Sequence, residues 1–74
     1  MMTGTAQTFG AFVKAARTEK KLYQREVSVK AGITDSHLSR IEKGEREPTL
    51  EVALNICKAL GVDINEFIRQ YQNT

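Results

Sequence analysis

Apolar residues fall along the chain in five short runs, each with helical spacing. Phe9, Phe12, Val13 and Ala16 follow i, i+3, i+4, i+7, the pattern of one buried face on a helix from about Phe9 to Lys20, with Thr8 as its N-cap. Val27 and Ala31 mark a second run opening at Gln24, and Leu38 and Ile41 a third over residues 35–43. Leu50, Ala53, Leu54, Cys57 and Leu60 give a stripe on a fourth helix, Leu50 to Leu60, capped by Thr49 and stopped by Gly61. A fifth runs from Ile64 to about Gln72 with Ile64, Phe67, Ile68 and Tyr71 apolar. Its start is signalled three ways: Asp63 as N-cap, Glu66 as capping-box partner, and Val62 with Phe67 as a hydrophobic staple. The pattern predicts a compact all-α domain of five helices over residues 9–72, behind a flexible N-terminus of residues 1–8.

The second and third runs are separated by a tight turn. Gly32 sits where the chain must reverse after a short helix, and a residue without Cβ takes positive φ there at little cost. Ile33 follows as an apolar plug and Thr34 as an N-cap. The helix after it opens on polar Asp35, Ser36 and His37 and carries Ser39 and Arg40 beside Leu38 and Ile41. Two short helices in this arrangement form a helix-turn-helix, whose second member suits the DNA major groove.

Composition narrows the alternatives. The 74 residues allow one small core, and 41% hydrophobic with 27% charged residues is ordinary for a folded soluble domain. No apolar run approaches membrane-spanning length, and MMTGTAQT lacks the basic start and apolar middle of a signal peptide, so a cytoplasmic protein with no membrane contact is expected. The single cysteine, Cys57, has no partner for an internal disulfide, and with one histidine, His37, there is no ligand set for structural zinc. Glycine-rich phosphate loops, paired carboxylates and Ser/His/Asp arrangements do not stand out, so neither enzymatic activity nor a cofactor is expected.

The net charge of +2 says little, but its distribution says more. Residues 1–46 hold nine Lys or Arg against five Asp or Glu, a balance of +4, while residues 47–74 hold two against four, a balance of −2. The basic excess lies in the half that holds the helix-turn-helix, as a phosphate-binding footprint would, although charge alone fits a solvated surface with accidental asymmetry equally well. Gln24, on the first turn of the second helix, can offer its side-chain amide and backbone N–H to a phosphate. Lys43 and Arg46 flank the loop after the third helix, where phosphate contact is again plausible. Tyr23 stands at a cap position that suits tyrosine poorly, which leaves packing against the first helix or a phenol reaching a phosphate.

These residues together resemble the lambda-repressor-like helix-turn-helix domains, the Cro and Xre-like family of bacterial and phage regulators. Arg17, Gln24, Gly32, the run SRIEKG from Ser39 to Gly44, Pro48 and the tail ALGVDINEF match the family pattern in order, from about Phe9 to Tyr71. The resemblance implies base-edge contacts from Asp35, Ser36 and Arg40 with Ser39 nearby, a phosphate contact from Gln24, and an ion pair between Arg17 and Glu42; Thr34, at the start of the third helix, is a further phosphate candidate beside Lys43 and Arg46. Two departures stand out. Tyr23 replaces a small hydroxyl cap, and Asp35 is acidic where many relatives carry a neutral or basic donor. An aspartate there can accept from cytosine N4, or it can simply favour the helix N-terminus through the dipole. Arg40 is the stronger candidate for readout, because a guanidinium can bond guanine O6 and N7 together.

The expected function is therefore a sequence-specific transcriptional regulator, repressor or autoregulator, that binds an inverted-repeat operator in double-stranded DNA as a homodimer. Of Ile64, Phe67, Ile68 and Tyr71 some must finish the core, but together they supply more apolar surface than so short a chain can cover, and the four mark the candidate dimer interface. RNA polymerase or another protein is a possible further partner. The competing reading is a protein-interaction module of the same fold, of antitoxin or adaptor type.

Overall fold

In the computed structural model, which describes residues 5–72, the chain forms α1 (Thr5–Glu19), α2 (Gln24–Ala31), α3 (Asp35–Glu42), α4 (Leu50–Leu60) and α5 (Ile64–Gln72), with no strand among the described residues. Local signals set most boundaries. Thr34 Oγ1 accepts from the His37 N–H at 3.0 Å and Thr49 Oγ1 from the Val52 N–H at 3.2 Å, so both hydroxyls cap as expected. Gly32 and Gly61 end α2 and α4 at φ of 74° and 72°. Asp63 Oδ1 accepts from the Asn65 N–H at 2.9 Å and opens α5.

Four expectations are corrected. First, α1 begins at Thr5, four residues before Phe9, so Thr8 lies inside the helix and residues 5–8 are not a frayed tail. Residues 1–4 of that expected flexible segment lie outside the described residues. Second, the buried stripe of α4 is Ile56, Cys57 and Leu60, with Val52, Ala53 and Ala59 packed beside it. Leu50 and Leu54 are instead exposed, Leu50 by 72%. Third, Phe67 is core: its ring meets Phe9 edge-on at 5.1 Å and Phe12 at 5.5 Å, and stacks on Tyr71 at 5.9 Å. Ile64 is half-buried against the same core. Of the candidate interface residues, only Ile68 and Tyr71 are exposed. Fourth, the third helix ends at Glu42, with Lys43 as its cap rather than its last turn.

The core joins Phe9 and Val13 of α1, Val27 and Ala31 of α2, Leu38 and Ile41 of α3, and Ile56, Cys57 and Leu60 of α4, closed by Phe67. Helix α1 packs on α3, and α2 on α3 and α4. The approach of α1 to α3 depends on Gly10, which the hydropathy pattern does not single out. A Cβ there would lie 2.1 Å from the Ile41 carbonyl oxygen and 2.9 Å from that of Glu42. Glycine in a helix interior costs about 0.5–1 kcal/mol relative to alanine, and here it allows backbone to meet backbone. Gly10, Val13 and Arg17 share one helical face, so the same contact brings Arg17 to the end of α3.

Candidate nucleic-acid interface

Helix α3 divides sharply between its faces. Leu38, Ile41 and Glu42 are buried, whereas Ser36, Arg40 and Lys43 are exposed and Ser39 is half-exposed. Positions 36, 39, 40 and 43 follow i, i+3, i+4, i+7, so these four side chains form a single outward row opposite the core. Arg46 is also exposed, just beyond the row in the loop that follows. Hydroxyls, a guanidinium and an ammonium in one row supply hydrogen-bond donors with no acid among them.

The row is held by a buried ion pair. Arg17 Nε donates to Glu42 Oε2 at 2.7 Å and Arg17 Nη2 to Glu42 Oε1 at 3.1 Å, a bidentate clamp. The third donor edge of Arg17 reaches the Leu22 carbonyl at 2.8 Å. Gln24 Nε2 adds a further bond to Glu42 Oε1 at 3.0 Å. Glu42 therefore accepts three bonds with its side chain 3% exposed, and one carboxylate ties together the end of α3, the start of α2 and the end of α1. A carboxylate stranded there without partners would be costly, which is the physical reason for the pair.

Two candidate contacts behave differently from the sequence reading. The Gln24 amide, expected to face a phosphate, spends one N–H on Glu42; its backbone N–H, first in α2, has no partner within the helix. Asp35 turns back toward α2: Oδ1 accepts from the Ser28 hydroxyl, and Oδ2 lies 3.6 Å from Arg25 Nη1. Thr34 is engaged as the cap of α3, so any phosphate contact there would share its hydroxyl.

Tyr23 is 78% exposed and does not pack on α1, which removes the packing reading. The start of α2 is secured instead by Glu26, whose Oε1 accepts from the Tyr23 N–H at 2.8 Å. This was missed from the sequence, although a glutamate three residues after the cap position is its local signal. Ser28, fully buried, had no such signal, because its partner Asp35 lies across the turn.

Among the described residues no helix is long and apolar enough to cross a membrane, and no group of His, Cys, Asp and Glu is placed to hold a metal ion.

Residues 13–67 match the family model described as helix-turn-helix. Among curated proteins, the chain is 42% identical over 52 residues to the HTH-type transcriptional regulator y4dL of Sinorhizobium fredii, covering 70% of this chain and 26% of that one. It is 36% identical over 58 residues to y4dJ of the same organism, covering 78% of this chain and 75% of that one. The immunity repressor of Bacillus phage phi105 is 33% identical over 61 residues, covering 82% and 42% respectively. The chain thus spans about a quarter of y4dL and under half of the phage repressor.

Among solved structures, the clp gene regulator ClgR of Corynebacterium glutamicum superposes with a TM-score of 0.90 at 22% identity, covering 97% of this chain and 94% of that one. The restriction-modification controller C.Esp1396I, solved as a tetramer with its natural 35 base-pair operator, gives 0.84 at 22% identity over 97% and 95%. At such identity these two likenesses speak to the fold. With the family model matched over residues 13–67 and the y4dJ relative covered for 75% of its length, the chain belongs to the helix-turn-helix family of Cro/Xre type.

Proposed function

We propose that the chain regulates transcription by binding an inverted-repeat operator as a homodimer, with α3 in the major groove. The observation that carries this reading is the outward row Ser36, Ser39, Arg40 and Lys43, presented by a helix whose opposite face is core. Arg40 reads a guanine edge through two hydrogen bonds, and Ser36 and Ser39 contact neighbouring base edges. Lys43, Arg46 and the backbone N–H of Gln24 contact phosphates and fix the register.

Self-association is the second part of the proposal. Leu50 (72%), Ile68 (40%) and Leu54 (38%) are large apolar side chains left exposed on α4 and α5. Leu50 and Ile68 flank one groove, floored by Phe9, Ala53, Ile64 and Phe67. A second copy seated there would bury this surface and hold two α3 helices about 34–36 Å apart, one turn of DNA. The operator-bound C.Esp1396I tetramer and the phage phi105 immunity repressor support the operator-binding and repressor parts of the reading by likeness.

The test is selection from a randomised duplex pool at near-physiological salt, followed by sequencing. An enriched inverted repeat with half-sites about one helical turn apart is expected. Binding without enrichment would reduce the function to nonspecific phosphate affinity. No binding would shift it to the protein-interaction module.

A further inference from the structure

We propose that Arg25 is a further DNA phosphate contact, and that Asp35, anchored by Ser28, is the residue that positions it. This rests on the DNA-binding reading above and adds to it two side chains on α2, together with a different task for Asp35.

The geometry runs from the core outward. Ser28 is 0% exposed, and its hydroxyl donates to Asp35 Oδ1. The same hydroxyl also lies 3.2 Å from the Arg25 carbonyl oxygen, but its single proton is drawn to the ionised Asp35 carboxylate, the stronger acceptor. The bond to Asp35 fixes its carboxylate against α2 at the first residue of α3. The second oxygen, Oδ2, lies 3.6 Å from Arg25 Nη1, with the side chains of Arg25 and Asp35 80% and 50% exposed.

A pair this exposed adds little to folding stability. Its effect is on where the guanidinium rests. An arginine on an open helix face samples many rotamers, and ordering it on binding costs conformational entropy. Asp35 holds Arg25 beside the end of α3 that enters the groove. A guanidinium has five N–H donors in a planar fork, so one edge can rest on Asp35 while the others meet a phosphate oxygen. The backbone N–H of Gln24, a first-turn donor of the kind a helix leaves without an intrahelical partner, lies at the neighbouring residue of α2.

The sign of one substitution separates this account from its competitors. Asp35→Asn keeps an oxygen to accept from Ser28 but removes the charge that attracts Arg25. If Asp35 merely repels DNA, Asp35→Asn tightens binding to every duplex. If Asp35 accepts from a cytosine, the variant weakens binding to the selected operator alone.

Binding would be followed by fluorescence anisotropy of two labelled duplexes, the selected operator and a scrambled sequence of equal length, across a series of KCl concentrations. For Arg25→Ala, the slope of log Kobs against log [KCl] is expected to become shallower by about 0.9 on both duplexes, the loss of one phosphate contact. Asp35→Asn is expected to weaken both duplexes in the same sense, and the double variant to be no weaker than Arg25→Ala. Arg25→Lys, which keeps the charge, should retain most of the slope. Arg25 is so exposed that its variants will fold, and they decide the matter even if Asp35→Asn does not. An unchanged slope for Arg25→Ala, or tighter or operator-only effects for Asp35→Asn, would overturn the proposal. Failure of the wild-type chain to bind either duplex would instead overturn the DNA-binding reading on which it stands.

Discussion

Removing Glu42 tests the link between the fold and the presented face of α3. Its carboxylate accepts bonds of 2.7, 3.1 and 3.0 Å from Arg17 and Gln24, while the side chains of Arg17 and Glu42 are only 16% and 3% exposed. Breaking a buried pair by deleting one partner costs about 3–5 kcal/mol, because the survivor is left uncompensated. For a domain of 74 residues, total stability is on the order of 4–11 kcal/mol at the usual per-residue range. Arg17→Ala and Glu42→Ala should therefore each remove about a quarter or more of it. Arg17→Ala should be the worse, since it strands the more deeply buried charge and also frees the Leu22 carbonyl.

Urea unfolding followed by far-UV circular dichroism reads the loss as a lower midpoint at constant slope. The double variant Arg17→Met/Glu42→Met removes both charges and fills the space with apolar atoms, and should recover most of the stability. Losses below about 1 kcal/mol for both single variants would mean that the pair behaves like a surface ion pair, and the reasoning would fail. A double variant as unstable as the sum of the singles would refute it equally.

The remaining expectations concern packing, assembly and the lone thiol. Gly10→Ala improves intrinsic helix propensity by about 0.8–1.0 kcal/mol, yet its Cβ would meet the Ile41 carbonyl oxygen at 2.1 Å. The net effect should be destabilising by about 1–3 kcal/mol, read in the same urea titration; a stabilised variant would contradict the close approach of α1 and α3. Leu50→Glu and Ile68→Glu should lower the sedimentation coefficient of the chain to that of a monomer while leaving its far-UV circular dichroism that of the folded helical chain, and an unaltered association state would move the interface elsewhere. The Cys57 thiol is pushed up from 9.0 to about 11, first by burial and then by the charges of Asp63 and Glu66. It should react with a disulfide reagent far more slowly in the native chain than in urea at pH 8, because the thiolate is the reactive form. The same raised value gives stability that is full below pH 9.0 and falls as pH rises through about 11.

The parts of the fold legible in the sequence are those fixed within a few residues of chain. Thr34, Thr49 and Asp63 cap and Gly32 and Gly61 stop their helices through bonds to near neighbours, so residue type and position sufficed. The start of α1 was not legible, because nothing between Thr5 and Thr8 breaks a helix and Thr8 was as good a local cap as any. Helix α4 offers apolar residues on more than one face, and only its packing against α2 selects Ile56 over Leu50 and Leu54. Phe67 reads as surplus until Phe9 and Phe12 are brought against it from the far end of the chain.

The candidate site divides in the same way. The outward row on α3 follows from helical period alone, given that Leu38 and Ile41 point inward. The pairing of Arg17 with Glu42 came from the family resemblance. The turn of Asp35 toward Ser28, and the use of the Gln24 amide on Glu42, depend on how α2 and α3 cross. No spacing in the chain encodes that crossing.

The claim that α3 reads bases through Arg40 is tested most directly by repeating the duplex selection with Arg40→Ala beside Lys43→Ala and the unaltered chain. Arg40→Ala is expected to lose enrichment at one base pair in each half-site, at a cost of about 1–3 kcal/mol in discrimination, while the rest of the consensus survives. Lys43→Ala should return the same consensus with weaker binding throughout. A consensus unchanged by Arg40→Ala would contradict the account, since the row on α3 would then touch DNA without reading it.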